Sequence, residues 1–458
     1  MSENIGNLKG LKKLGLSGTT ITVLPSSIER LMHLTSLTLF ACRKLESLPN
    51  TTCGFKFRGA LDLSKCSRFK NLPEKPWIIE GLDMLDLSTT AIEEMPSSIG
   101  RLTKLTALTL RFCMNLVCLP STICSLNSLE CLDLCGCSNF DNLPENIGNL
   151  KGLKELDLSG TAIKVLPSSI DGLTTLTLLI LKDCKNLVCL PSTICNLKLL
   201  NSLDLFGCLK VDNLPKNIGN MEGLELLNLC WTAIKEVPSS IVLLKNLKEL
   251  HIGWKLSEFY SQPASPESME PLWNSLSCLP TSPTTERIFL PSFIYSSLQT
   301  SPFPVGLSLP SLSGPQSLTD LNLSHCVLWS IPNDIGCLSS LEYLDLSGNN
   351  FVSLPESMSQ LSNLRRLCLE GCESLQSLEN VPPTIDSIIA DDCTSLERLP
   401  ELQFYLSRSD CTYLQFLFLN CFKLIDNSML QGVNNMLQVC LCLCLCLFVS
   451  LSLSLSKF

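Results

Sequence analysis

LKELDLSGTAIKVLPSSI, Leu153–Ile170, decides how this chain is built. Near-copies of it open at Leu11, Leu82 and Leu224, so that each opening falls 71 residues after the last. Every span of 71 divides into units of 23, 24 and 24 residues. Within the stretch, the alternation around Leu156 and Leu158 predicts a short strand with one face inward. Ile163, Leu166, Ile170 and Leu173 follow at spacings of three, four and three, one apolar stripe on a helical or 3-10 turn. Pro167 suits the first turn of that segment, where its missing N–H costs nothing. One unit of strand, turn and short helix cannot bury its own leucines. Stacked units can, with neighbouring strands about 4.8 Å apart.

Self-similarity at this period, with L-x-x-L-x-L at Leu153, Leu156 and Leu158, predicts an α/β leucine-rich-repeat solenoid. Because strands pack closer than the bulkier helical side, the stack curves into a horseshoe. Its parallel sheet is concave, and its helical or 3-10 segments are convex. Openings fall at Leu11, Leu34, Arg58, Leu82, Leu105, Leu129, Leu153, Leu176, Leu200, Leu224, Leu247, Leu318, Leu341, Leu364, Ile385 and Leu414. Arg58 breaks the leucine rule, but Leu61 and Leu63 restore it. The expected division is repeats over 1–254, a Pro/Ser-rich loop over 255–317, repeats over 318–438 that become irregular, and a low-complexity tail over 439–458.

A net charge of −9 with only 17% charged residues gives no basic stripe for nucleic acid and no attraction to an anionic membrane. Met1-Ser-Glu-Asn-Ile-Gly has neither the basic start nor the apolar core of a signal peptide. The 26 cysteines are therefore expected as free thiols in a reducing cytoplasm, with the nucleus as an alternative, and the sequons at Asn50 and Asn322 as unglycosylated.

Three residues past the last strand leucine stands Cys42, Cys66, Cys113, Cys137, Cys184, Cys208, Cys326, Cys372, Cys393 or Cys421, and in the shorter units Thr19, Thr90, Thr161, Thr232 or Asn349. Each type can donate a hydrogen bond where the chain leaves the strand and exposes backbone carbonyls. The expectation is a structural ladder running from repeat to repeat. A metal site fits poorly, because ladder positions form a row, no C-x-x-C exists, and C-x-C at Cys135 and Cys137 has no histidine nearby. Cys118, Cys124, Cys189 and Cys195, in two copies of LVCLPSTIC, read as small convex hydrophobes.

No catalytic constellation is expected. His33, His251 and His325 are the only histidines, and none stands at a spacing that suggests a triad. No Gly-Lys dipeptide occurs, so a phosphate-binding G-x-x-x-x-G-K-[ST] loop is absent. Neither cofactor nor nucleotide is implied.

The exposed positions of the concave strands carry two patterns. Asp62, Asp86, Asp133, Asp157, Asp204 and Asp345 form a column, and neighbours such as Asp133 and Asp157 require water to screen them. They read as a solvated face or as a site for a basic partner. Phe206, Trp231 and Trp254 fall just past three consecutive strands, with His251 beside them, and Phe40 and Phe112 occupy the same region earlier. Such aromatics imply either a partner's hot spot or cover by the chain's own loop. The loop 255–317 holds 10 of the 26 prolines together with Phe259, Tyr260, Trp273, Phe289, Phe293, Tyr295 and Phe303, too many aromatics for a plain linker. Partner contact is therefore expected at Phe206, Trp231, His251, Trp254 and Phe112, with Asp133, Asp157 and Asp204 in support.

SENIGNLKG at Ser2–Gly10 matches PENIGNLKG at Pro144–Gly152, which predicts that something belongs before Met1, either in a longer protein or in its ancestor, since solenoids need capping units. The tail from Val439 alternates Leu with Cys or Ser, as a translated CT repeat would. As an anchor its apolar run is too short to span a bilayer.

MPSSIGRLTKL at Met95–Leu105, with Met-Pro in place of the usual Leu-Pro start, LVCLPSTIC, LCLEGCESLQSLENVP at Leu367–Pro382 and PELQFYL at Pro400–Leu406 resemble the repeats of plant intracellular immune receptors. The resemblance covers about Ser2 to Gln438. The most similar group places a Toll/interleukin-receptor-like domain and a nucleotide-binding domain before its repeats, and neither is recognised in this sequence. What the resemblance implies is a non-enzymatic recognition module, binding a pathogen effector or a guarded host protein on the concave face. The alternative is an intracellular scaffold with a constant host partner.

Overall fold

The computed structural model describes residues 3–31, 33–49, 59–73, 81–253, 306–400 and 415–424. Among these, sixteen strands form one parallel sheet in sequence order, from β1 (Lys13–Gly15) to β16 (Gln415–Leu417). Most are three residues long. In most of them the central leucine, such as Leu156 in β7 (Glu155–Asp157), points into the core and is fully buried. Leu158 and Ile163 are fully buried beside it. A 3-10 helix, Ser168–Gly172, follows on the convex side and buries Ile170. Pro167 precedes this helix rather than opening it. It is extended, at φ −64° and ψ 149°, and its carbonyl accepts the Ile170 N–H at 3.1 Å. The expected architecture, a parallel concave sheet backed by short 3-10 segments, is the one observed.

The opening assigned to Leu414 is corrected by one residue. Ile388 in β15 (Ser387–Ile389) pairs with Phe416, so the last unit opens one position before Leu414. Residues 306–317, placed in the loop, fold into the stack. Ser308 bridges Glu236, and Leu312 is 2% exposed in the core. They complete the convex half of the unit that opens at Leu247. The rest of the loop and the tail lie outside the described residues.

The ladder exists and runs between units. The Cys184 thiol donates to the Leu158 carbonyl of the preceding unit at 3.1 Å, and Cys208 to Leu181 at 3.0 Å. Cys42, Cys66, Cys113, Cys137, Cys372, Cys393 and Cys421 repeat the bond at 3.0–3.2 Å. Threonines serve their own unit instead, as Thr161 Oγ1 does by donating to Leu158 at 2.7 Å. Asn349 Nδ2 does both, reaching Leu323 at 2.9 Å and Leu346 at 2.7 Å. Cys326 departs from the pattern and donates within its own unit, to Ser324, at 3.5 Å. The described cysteines are free thiols. Of the LVCLPSTIC cysteines, Cys124 and Cys195 are buried, while Cys118 and Cys189 are exposed.

A second row of hydroxyl bonds stitches the convex side. Thr122 Oγ1 donates to the Ser97 carbonyl at 2.8 Å, and Thr193 Oγ1 to Ser168 at 2.8 Å. Among the described residues, no helix is long and apolar enough to cross a membrane, and no group of three or more His, Cys, Asp or Glu could hold a metal ion.

Candidate concave recognition site

Each strand ends in the same turn. The residue just before the ladder position adopts a left-handed conformation in all fifteen described units that show the ladder, at φ between 53° and 76°. Six of these are glycines: Gly18, Gly136, Gly160, Gly207, Gly348 and Gly371. The others include Phe112 at 56°, Trp231 at 60° and His325 at 53°. A bulky side chain there costs about 1–2 kcal/mol relative to glycine, because its Cβ crowds the following carbonyl. Gly136 lies under the Phe112 ring and Gly348 under the His325 ring, so closely that a Cβ on either glycine would overlap the ring above it. A large residue in one unit is thus matched to a glycine in the next. Nothing in the sequence period marks this column, because its side chains share no chemical type.

The expected aromatics therefore fall into two neighbouring columns. Phe112 and Trp231 take the left-handed position, and Phe40 and Phe206 the residue before the left-handed one. Phe40 and Phe112 are exposed, while Phe206, Trp231 and His251 are half-buried. The Gly207 N–H donates to the Cys230 carbonyl at 2.9 Å, which holds the Phe206 and Trp231 turns side by side. The Leu229 N–H donates to the His251 carbonyl at 2.6 Å. Phe206, Trp231 and His251 thus gather over three adjacent units. Phe112 stands several units away, and Trp254 lies outside the described residues.

The acidic column is less exposed than expected. Asp133 and Asp204 are 8% exposed and Asp345 3%, while Asp157 is half-buried. Each carboxylate folds back to accept the N–H two residues on: Asp133 from Cys135 at 3.0 Å, Asp157 from Ser159 at 2.9 Å, Asp204 from Phe206 at 3.0 Å. These bonds close Asx turns that end the strands. Cations one unit upstream face two of the acids, Arg111 Nε to Asp133 at 3.2 Å and Lys182 Nζ to Asp204 at 3.1 Å. Burial raises the Asp133 carboxyl to about 6 despite Arg111 and the Cys135 N–H. The column's first task is structural.

His251, in β11 (Glu249–His251), departs from the column's chemistry, because its neighbours in register are amides. Asn228 in β10 (Leu226–Asn228) and Asn322 in β12 (Asp320–Asn322) flank it. Its Nε2 lies 3.2 Å from Asp320 Oδ1. Sequence reading missed this pair, because 69 positions separate the two residues. It also missed Trp329, which is 73% exposed on the flank of the stack.

Two family models match, a leucine-rich repeat region over residues 121–210 and a leucine-rich repeat over 311–373. The disease resistance-like protein DSC1 of Arabidopsis thaliana is 35% identical over 221 residues, 47% of this chain and 18% of that protein. The TMV resistance protein N of Nicotiana glutinosa is 33% identical over 188 residues, 40% of this chain and 12% of that protein. The chain spans less than a fifth of the length of either relative. A leucine-rich-repeat protein of Leptospira interrogans shares the fold, with a TM-score of 0.52 at 24% identity over 85% of this chain and 93% of that one. Sheet, ladder and matches together show a leucine-rich-repeat solenoid that is similar over part of its length to plant disease-resistance proteins.

Proposed function

We propose that the chain is the protein-recognition module of a plant innate-immune receptor, which binds a pathogen effector or a guarded host protein. The contact centres on Phe206, Trp231 and His251. One observation carries this reading: Trp231 occupies a left-handed turn where glycine would relieve the backbone, beside a second aromatic and a histidine. Large aromatics grouped on adjacent turns are the composition that protein-binding hot spots favour. The disease-resistance relatives support the biological setting. The free thiols of the described cysteines suit a reducing cytoplasm or nucleus.

A scaffold with a constant host partner is favoured by a different observation. Val117, Val165, Val188, Trp329 and Val352 are exposed on the flank between strand ends and convex helices. Affinity capture on the full chain from healthy and from infected tissue separates the two. The receptor reading predicts a partner, or a change of partner, that depends on infection. One partner recovered equally from both would replace it with the scaffold.

A further inference from the structure

At the concave centre a histidine stands beside carboxylates of two neighbouring strands. β11 and β12 are neighbours in the sheet, yet the residues between them in sequence include the long insertion. Across this junction His251 Nε2 meets Asp320 Oδ1, with the imidazole 12% and the carboxylate 33% exposed. Glu249 lies two residues earlier on the same face of β11 and pairs in register with Asp320. The imidazole therefore stands among two carboxylates and two amides.

The remaining charges around it are committed elsewhere. Lys248 holds Glu225 at 2.7 Å, and Lys182 holds Asp204 in β9 (Ser202–Asp204) at 3.1 Å. Asn228 and Asn322 each accept a turn N–H, from Cys230 at 3.1 Å and from Ser324 at 2.9 Å, and bring no charge. Elsewhere this column holds aspartate at six of its thirteen positions. Amides on both sides leave the charge of His251 to be set chiefly by Asp320 and Glu249.

We propose that His251 is a charge switch for recognition, and that in its neutral form the centre takes a cationic group of the partner. Protonated, the imidazolium offsets the carboxylates of Asp320 and Glu249. Neutral, it leaves both of them facing the concave space beside Trp231 and Phe206. Burial disfavours the imidazolium, but the hydrogen bond and charge of Asp320, then the charges of Glu249 and Asp204, outweigh it and raise the pKa above the ordinary histidine value. The switch itself stands on the pair geometry. Its role in recognition rests on the concave-centre reading above.

The test uses the full chain and two readouts. In the first, His251 is titrated by NMR; its midpoint should lie above that of a histidine in a short unstructured peptide, and Asp320→Asn should bring it down. A midpoint at or below that of the peptide histidine, or one that Asp320→Asn leaves in place, overturns the switch. In the second, an N-acetylated tri-lysine peptide, whose charge is constant over this range, is the probe. It should bind about tenfold more tightly at pH 8 than at pH 5.5 in low salt, as gain of one net negative charge at contact range implies. His251→Gln should lose most of that difference. No binding at either pH, or the full difference retained in His251→Gln, overturns the cation preference. Neither result depends on the natural partner, so failure here leaves the test of Trp231 untouched.

Discussion

The ladder shows how much a single side chain can matter in a repeat. The Leu158 carbonyl accepts the Thr161 N–H at 3.2 Å, Thr161 Oγ1 and the Cys184 thiol, whereas Leu181 receives a backbone N–H from Cys184 and the Cys208 thiol. Cys184→Ala thus removes one of three donors, and Cys208→Ala one of two. We expect Cys208→Ala to cost about 1–2 kcal/mol and Cys184→Ala less, with Cys184→Thr nearly neutral. Thermal melts of the three variants check the order, and equal losses would contradict it. The ladder was legible in the sequence because donors recur at one slot every 23 or 24 residues. The left-handed column beside it was not, since glycine, aspartate, lysine and tryptophan share no chemistry that a period could reveal. It yields a sharper test. Gly136→Ala should destabilise by driving a Cβ into the Phe112 ring, and adding Phe112→Gly should recover much of the loss. A double-mutant cycle reads this coupling, and strict additivity of the two changes would exclude the contact.

At the scale of the strand and its turn, the aspartates show where pattern reading went astray. Alternation with leucine places Asp133 outside the core, and the sequence reading extended that to exposure. A three-residue strand ends at once in a turn, however, and the carboxylate closes over the N–H of Cys135. Asp133 is consequently held above its ordinary pKa, at about 6, chiefly by burial. The fold therefore favours its neutral form. The associated stability is complete below about pH 4, where the unfolded carboxyl is also protonated, and is lost as pH rises through about 6. Asp133→Asn keeps the acceptor, as Asn228 and Asn322 do. It should be more stable than the parent by about 1–3 kcal/mol at pH 7 and match it near pH 4. Denaturant midpoints across that range decide it; an advantage that grows towards acid would refute the buried-acid account. The shifted opening near Leu414 has a related cause, because a strand of three residues carries too little pattern to fix its register alone.

Across the whole molecule, each unit meets only its neighbours, so the fold was the most legible property of the chain. Sixteen openings predicted sixteen strands, fifteen of them in register. The proposed recognition site was legible only in part. Phe206, Trp231 and His251 fall near one another because they belong to three adjacent units, although to different columns. Asp320 joins them because β12 pairs with β11 although 69 positions separate it from His251, and no spacing rule predicts that. The convergence also sets the most direct test of the concave-centre claim. The measurement is the affinity of the full chain for its captured protein partner, compared across Trp231→Ala, Phe206→Ala and the flank variant Val188→Ala. The account predicts that Trp231→Ala weakens binding by about 2 kcal/mol or more, roughly 30-fold, with Phe206→Ala also weakened, Val188→Ala unchanged and all three melting curves intact. Undiminished binding by Trp231→Ala together with loss in Val188→Ala would move the site to the flank and contradict it.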